Sequence, residues 1–104
     1  MPTKLIALPK LDKLQPTLES TALKLMEETG ELAQCIGKFR CLNGEKIQRD
    51  EGENIQAIAC ELLDVAQTAV TMMYVLEEQF HVNIQDALEK HINKLIKKGY
   101  LTDI

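Results

Sequence analysis

The residues best suited to chemistry are acids in two short groups: Glu27, Glu28 and Glu31 in LKLMEETGELAQ, and Glu61 and Asp64 in ACELLDVAQ. On a helix, residues three apart are neighbours with Cβ atoms about 5–6 Å apart, so Glu28 with Glu31, and Glu61 with Asp64, can each close on one cation. Without a cation each like-charged pair is mildly repulsive. Two such pairs on antiparallel neighbouring helices would set four hard oxygen donors face to face. That donor set suits Mg²⁺ or Mn²⁺, which retain waters that a phosphate can displace. A solvated acidic face is the competing account, and for Glu27–Glu31 alone it suffices, because 27% of the chain is charged. It fits Glu61 and Asp64 less well. From Ile55 to Leu76 these are the only ionisable carboxylates, and no Lys or Arg occurs.

The last stretch of the chain carries the opposite charge. On a helical wheel Lys90, Lys94, Lys97 and Lys98 share one flank of an apolar stripe formed by Ile84, Leu88, His91, Ile92 and Leu95. Lys97 and Lys98 complement a helix C-terminus, and solvation accounts for any single one of the others. The one-sidedness points further, to a phosphate-binding edge facing the acids. Glu78 and His81 form an ExxH, but a di-iron bundle needs two such motifs and two more glutamates. At 1.5 Å per residue that ExxH lies roughly 21 Å along the helix from Asp64, too far to share its cation. No Gly-rich phosphate loop, zinc pattern or nucleophile–base pair is present.

These groups need helices to position them. Thr17 after Pro16 is an N-cap, with Glu19 in the first turn, and Leu18, Ala22, Leu25, Leu32 and Ile36 form one stripe, predicting a helix to about Arg40. Gly30 and Gly37 inside it cost roughly 1 kcal/mol each relative to Ala, which predicts a closely packed neighbour. Asn43–Gly44 ends the helix, and GEKIQRDEGE reads as a surface loop. Asn54 caps a second helix, buried and reaching about Gln79. After a short connection at His81–Asn83, Asn83 caps a third, with Asp86 in its first turn and Gly99 just past its end. Residues 1–16 are an irregular arm or a short helix. The fold class is all-α, a single domain over 1–104, built as a helical bundle of three long helices plus a possible short N-terminal helix. Few helices give a thin core, so completion by oligomerisation is expected.

Composition excludes several classes. A net charge of -4 leaves no basic footprint for a nucleic acid polymer. The absence of Trp and an aromatic content of 4% argue against a stacking platform for single strands. Cys35, Cys41 and Cys60 lack metal-site spacing and fit reduced thiols in a cytoplasmic protein. The N-terminal apolar run is too short for a signal peptide and is interrupted by Pro9. Ile55–Leu76 is long enough to span a bilayer, but each mid-span acid would cost roughly 2.5–3.5 kcal/mol, and no basic flanks anchor it. No membrane partner is expected.

Together, Glu27-Glu28-x-x-Glu31 followed by Glu61-x-x-Asp64 resembles the EExxE…ExxD signature of the MazG-like all-α nucleotide pyrophosphohydrolases. The context, LKLMEETGELAQCIGKF, ELLDVAQTAVTMMYVL and KHINKLIKKGYL, is similar over about residues 15–101. The resemblance implies Mg²⁺-dependent hydrolysis of a nucleoside triphosphate (NTP or dNTP) to the monophosphate and pyrophosphate. It implies Glu28, Glu31, Glu61 and Asp64 as metal ligands and Glu27 as the residue that orients or deprotonates the attacking water. Asn93, Lys94, Lys97 and Lys98 match, loosely, the phosphate-contacting end of the family's last helix. It also implies homodimers or homotetramers. The segment Leu32–Cys60 is slightly longer than usual, and the Trp-containing entry segment of larger MazG proteins is absent. Thr17, Leu18 and Glu19 stand in its place. The rival readings are a non-catalytic helical interaction protein with its acids in interface salt bridges, and a same-fold enzyme acting on a biosynthetic nucleotide such as phosphoribosyl-ATP.

Overall fold

Helix α1, Leu18–Phe39, begins where the sequence places it, because Thr17 closes a capping box. The Ser20 backbone N–H donates to Thr17 Oγ1 at 3.0 Å, and the Thr17 N–H donates to Ser20 Oγ at 2.8 Å. This reciprocal pair satisfies two of the donors that a helix start leaves free. The computed structural model describes residues 1–40 and 51–103, without the side chains of 51–53. The expected polar loop therefore lies largely outside the described residues. Helix α2 spans Glu51–Phe80 and α3 spans Ile84–Lys97, and no strand occurs among the described residues. The chain is all-α.

Helix α2 corrects one boundary. It starts at Glu51, so Asn54 is not its cap but a buried residue on its inner face. The third helix matches its expected ends. Asn83 Oδ1 accepts from the Asp86 N–H at 3.0 Å, and Gly99, at φ 82, closes a Schellman motif in which Tyr100 N–H reaches Leu95 O. His81 carries the chain out of α2 with φ 56, a conformation that histidine tolerates better than most side chains.

Helices α1 and α2 run antiparallel. The inner face of α1 repeats every seven residues: Leu18, Leu25, Leu32 and Phe39 alternate with Thr21, Glu28 and Cys35. On α2 the inner positions include Asn54, Ile58, Glu61, Val65, Thr68, Met72 and Val75. This is a coiled-coil-like seam with one polar column in it. Thr21 shares a cavity wall with Thr68, Glu28 clusters with Glu61, and Cys35 shares a cavity wall with Asn54. The expected stripe is thus rotated. Ala22 and Ile36 face outward, and Glu28 lies inside the helix–helix seam rather than beside it.

The core is thin. Among the described residues Val75 is the only apolar side chain that is buried, while Thr21, Glu28, Asn54, Thr68 and Thr71 are buried polar ones. Leu23, Met26, Leu62 and Leu63 remain exposed, so α2 is covered on one side and is not the fully buried helix that its composition suggests. By length and composition Asn54–Phe80 is long and apolar enough to cross a membrane. A Cβ added at Gly30 or Gly37 would meet nothing within 4 Å, so the close packing expected there is not made among the described residues.

Residues 1–16 contain no helix and form an arm. Gln67 Nε2 donates to the Pro9 carbonyl at 2.8 Å and Gln79 Nε2 to the Pro16 carbonyl at 3.1 Å, laying the arm along α2. Lys10 adds an ion pair with Glu78 and sits 5.4 Å from the centre of the Tyr74 ring. Glu78 is therefore an anchor for the arm. Helix α3 touches only α2, and none of its side chains is fully buried.

Candidate metal and phosphate site

The seam places Glu28, Glu31 and Glu61 so that one carboxylate oxygen from each lies within 4.8 Å of the others. Glu28 is 7% exposed. Its Oε1 receives the Lys24 ammonium at 3.0 Å, one helical turn earlier, whereas its Oε2 is buried with no partner among the described residues. Glu61 Oε2 is also buried and unpartnered. Buried acceptors without donors are costly, about 1–3 kcal/mol each and more when charged. The Glu28 carboxylate holds the Glu31 carboxyl pKa above its ordinary value, helped by loss of solvent and by the Glu61 charge. Glu28 raises the Lys24 pKa by accepting its hydrogen bond.

This is a donor set waiting for positive charge. One lysine offsets three carboxylates, and the two orphaned oxygens belong to different helices. A hard divalent cation taking oxygen ligands fits these residues, with Glu28, Glu31 and Glu61 as the side chains that would hold it.

The other residues expected at the site are distributed less tightly. Asp64 stands one turn beyond Glu61 and is not among the clustered oxygens. It lines, with Glu28, a cavity of about 400 Å³ bounded by Leu11, Leu14 and Pro16 of the arm and by Thr68 and Thr71 of α2. Glu27 is exposed, 3.7 Å from Lys24, and outside the cluster. Asn93, Lys94, Lys97 and Lys98 are exposed on α3 and do not line the cavities that border the acids, so one chain does not bring them to the cluster. On the far side of the cluster Glu31 and Glu61 line a smaller cavity of about 230 Å³ with Gln34, Cys35, Lys38, Asn54 and Ala57.

Three residues at the site escaped sequence reasoning. Lys24 precedes Glu28 by one turn, a spacing that could have revealed the ion pair. Asn54 looked like a cap. Thr71, whose buried Oγ1 has no partner among the described residues, carries no signal in the sequence.

Two antiparallel helices bring carboxylates together from both sides, with cavities on either side, an arrangement suited to holding a cation beside a phosphate. The comparison with family models agrees. The MazG nucleotide pyrophosphohydrolase domain matches residues 16–99, and the chain belongs to that family. No curated protein and no solved structure gave a match.

Proposed function

We propose that this chain hydrolyses a nucleoside triphosphate, NTP or dNTP, to the monophosphate and pyrophosphate with Mg²⁺, or Mn²⁺ in its place, as part of nucleotide-pool clean-up. One observation carries the reading. The Glu28 and Glu61 carboxylates, each with a buried oxygen that has no partner among the described residues, meet across the seam in a chain of the nucleotide pyrophosphohydrolase family. A triphosphate would be repelled by these acids alone. A bound cation supplies charge neutralisation and polarises the phosphoryl oxygens.

The chain's own residues do the rest. Glu28, Glu31 and Glu61 hold the cation, and Asp64 completes the set from the rim of the larger cavity. That cavity, about 400 Å³, is of a size for a small-molecule ligand. Its apolar arm wall and the Thr71 hydroxyl, which has no partner among the described residues, suit the nucleoside half. Glu27, one residue before Glu28, is assigned to take a proton from the attacking water, although within one chain it lies outside the cluster. The water oxygen bonds to the α-phosphorus, the bond from that phosphorus to the bridging oxygen breaks, and pyrophosphate leaves with the electron pair. Exposed leucines on α1 and α2 and the uncovered α3 support a homodimer or homotetramer, in which lysines of a neighbouring α3 can reach the phosphates. Reduced Cys35 and Cys60 fit a cytoplasmic setting.

The test is a panel of NTPs and dNTPs with Mg²⁺, assayed for pyrophosphate against orthophosphate. Pyrophosphate release is expected. Orthophosphate alone, or no release from any nucleotide, refutes the proposal.

A further inference from the structure

The smaller cavity holds a group that the reaction has not used. Asn54 is 6% exposed and lines that cavity, and its side-chain NH₂ is buried with no acceptor among the described residues. It stands two helical turns before Glu61 on the same face of α2, roughly 10 Å along the axis. Across the seam Lys38, in the last turn of α1, lines the same cavity. At one end are two carboxylates of the cation site, and at the other an amide donor and an ammonium. At about 230 Å³ the space is below the range of pockets that take drug-sized ligands, so it suits a phosphate-sized group rather than a nucleoside.

We infer that this cavity is the subsite for the terminal phosphates, and hence for the departing pyrophosphate, with Asn54 and Lys38 donating to its oxygens. The inference rests on the hydrolysis proposed above and assigns the far side of the same site. The two cavities divide the substrate. The apolar one, under the arm, takes the nucleoside, and the polar one takes the phosphate tail, with the carboxylate cluster between them. An anion beside Glu31 and Glu61 is tolerated only with a cation between them, so occupancy requires Mg²⁺. The Asn54 amide has no acceptor among the described residues, whereas with an oxyanion present it gains a charge-assisted hydrogen bond.

Calorimetric titration of the full chain with inorganic pyrophosphate, with and without Mg²⁺, tests this alongside titration with nucleoside monophosphates. The wild type is expected to bind pyrophosphate only with Mg²⁺. Asn54→Ala and the near-isosteric Asn54→Asp should each weaken that binding by about tenfold or more, the loss expected for a hydrogen bond to a charged group. Lys38→Met should weaken it severalfold. Monophosphate binding should change less than twofold, and Asn54→Ala should keep the wild-type melting temperature without ligand. The inference is overturned if the wild type binds no pyrophosphate, if both Asn54 variants bind it as the wild type does, or if monophosphate binding falls in parallel. Failure of the hydrolysis reading is separate: pyrophosphate binding that depends on Mg²⁺ and Asn54, with no nucleotide hydrolysed, sustains the subsite and removes the reaction.

Discussion

Replacing Glu61 by Gln should move stability in opposite directions with and without metal. In the metal-free protein the Glu28 and Glu61 carboxylates approach within 4.8 Å. Two unit charges at that distance repel by about 0.9 kcal/mol in water and by about 3.5 kcal/mol at an effective dielectric constant of about 20. Glu28 is 7% exposed and Glu61 half-buried, so the repulsion lies between these limits. Gln keeps the shape, removes the charge and cuts the desolvation cost of the orphaned oxygen. Glu61→Gln should therefore stabilise the metal-free protein by roughly 1–2 kcal/mol, which for a domain of this size is about 4–15 °C in melting temperature.

With saturating Mg²⁺ the order should invert. A ligand that binds only the folded state stabilises it by about 2.7 kcal/mol at one hundred times its Kd. The wild type gains that increment and the variant, with one ligand fewer, gains little. Thermal melts of both proteins in chelator and in millimolar Mg²⁺ provide the assay, and turnover of any hydrolysed nucleotide should be lost in the variant. A variant that melts lower than the wild type in chelator and shifts equally in Mg²⁺ would refute the reasoning. Glu61 would then be stabilised by a cationic partner, as an interface salt bridge requires.

Other perturbations probe the neighbouring groups. The raised pKa of Glu31 means that the folded protein holds its proton over a pH window in which the unfolded chain has lost it. Metal-free stability should therefore fall as pH rises from the ordinary carboxylate value through the raised one, while the Mg²⁺-induced rise in melting temperature should grow over the same window. Melts between pH 4 and pH 7, with and without Mg²⁺, check both signs. Lys24→Met frees Glu28 Oε1 and should tighten Mg²⁺ binding severalfold in calorimetry while changing the melting temperature little, because the lysine end of the pair is exposed. Gly30→Ala places a methyl in open space on α1 and should stabilise the isolated chain by about 0.5–1 kcal/mol. A drop in melting temperature would instead place a neighbouring chain against Gly30.

Local chemistry made the helices legible. The Thr17–Ser20 box, the Asn83 cap and Gly99 past the end of α3 are each settled within a few residues, and all three stand where the sequence puts them. Asn54 misled because a cap-type residue ahead of an apolar run is the usual start signal, and it does not distinguish a cap from a buried polar residue three positions into a helix. The rotated stripe on α1 has a related cause. Periodicity assumes that the inner face is apolar, whereas here Thr21, Glu28 and Cys35 occupy alternate inner positions, and Leu23 and Met26 point outward. The spacing of the acids announced that Glu28, Glu31, Glu61 and Asp64 could converge, because that needs only an antiparallel pair of helices; the first three cluster, and Asp64 stands one turn away on the wall of the larger cavity. The arm was not legible. Its place depends on Gln67 meeting Pro9 across 58 residues, and nothing local in either segment encodes that meeting.

The polar column in the seam has a cost that the fold alone does not explain. Apolar residues at Thr21, Glu28, Asn54, Glu61 and Thr68 would turn the α1–α2 seam into an ordinary coiled-coil contact and deepen a core in which Val75 is the only buried apolar residue among those described. The column instead keeps two carboxylate oxygens and one amide NH₂ buried without partners among the described residues. Each is of a kind that one part of a metal–phosphate ligand would satisfy: the oxygens by a cation, the amide by an anion. The unpaired groups are therefore complementary to a bound species rather than to each other. A metal–phosphate ligand that binds only the folded chain would satisfy these groups and so stabilise a fold whose own core is thin.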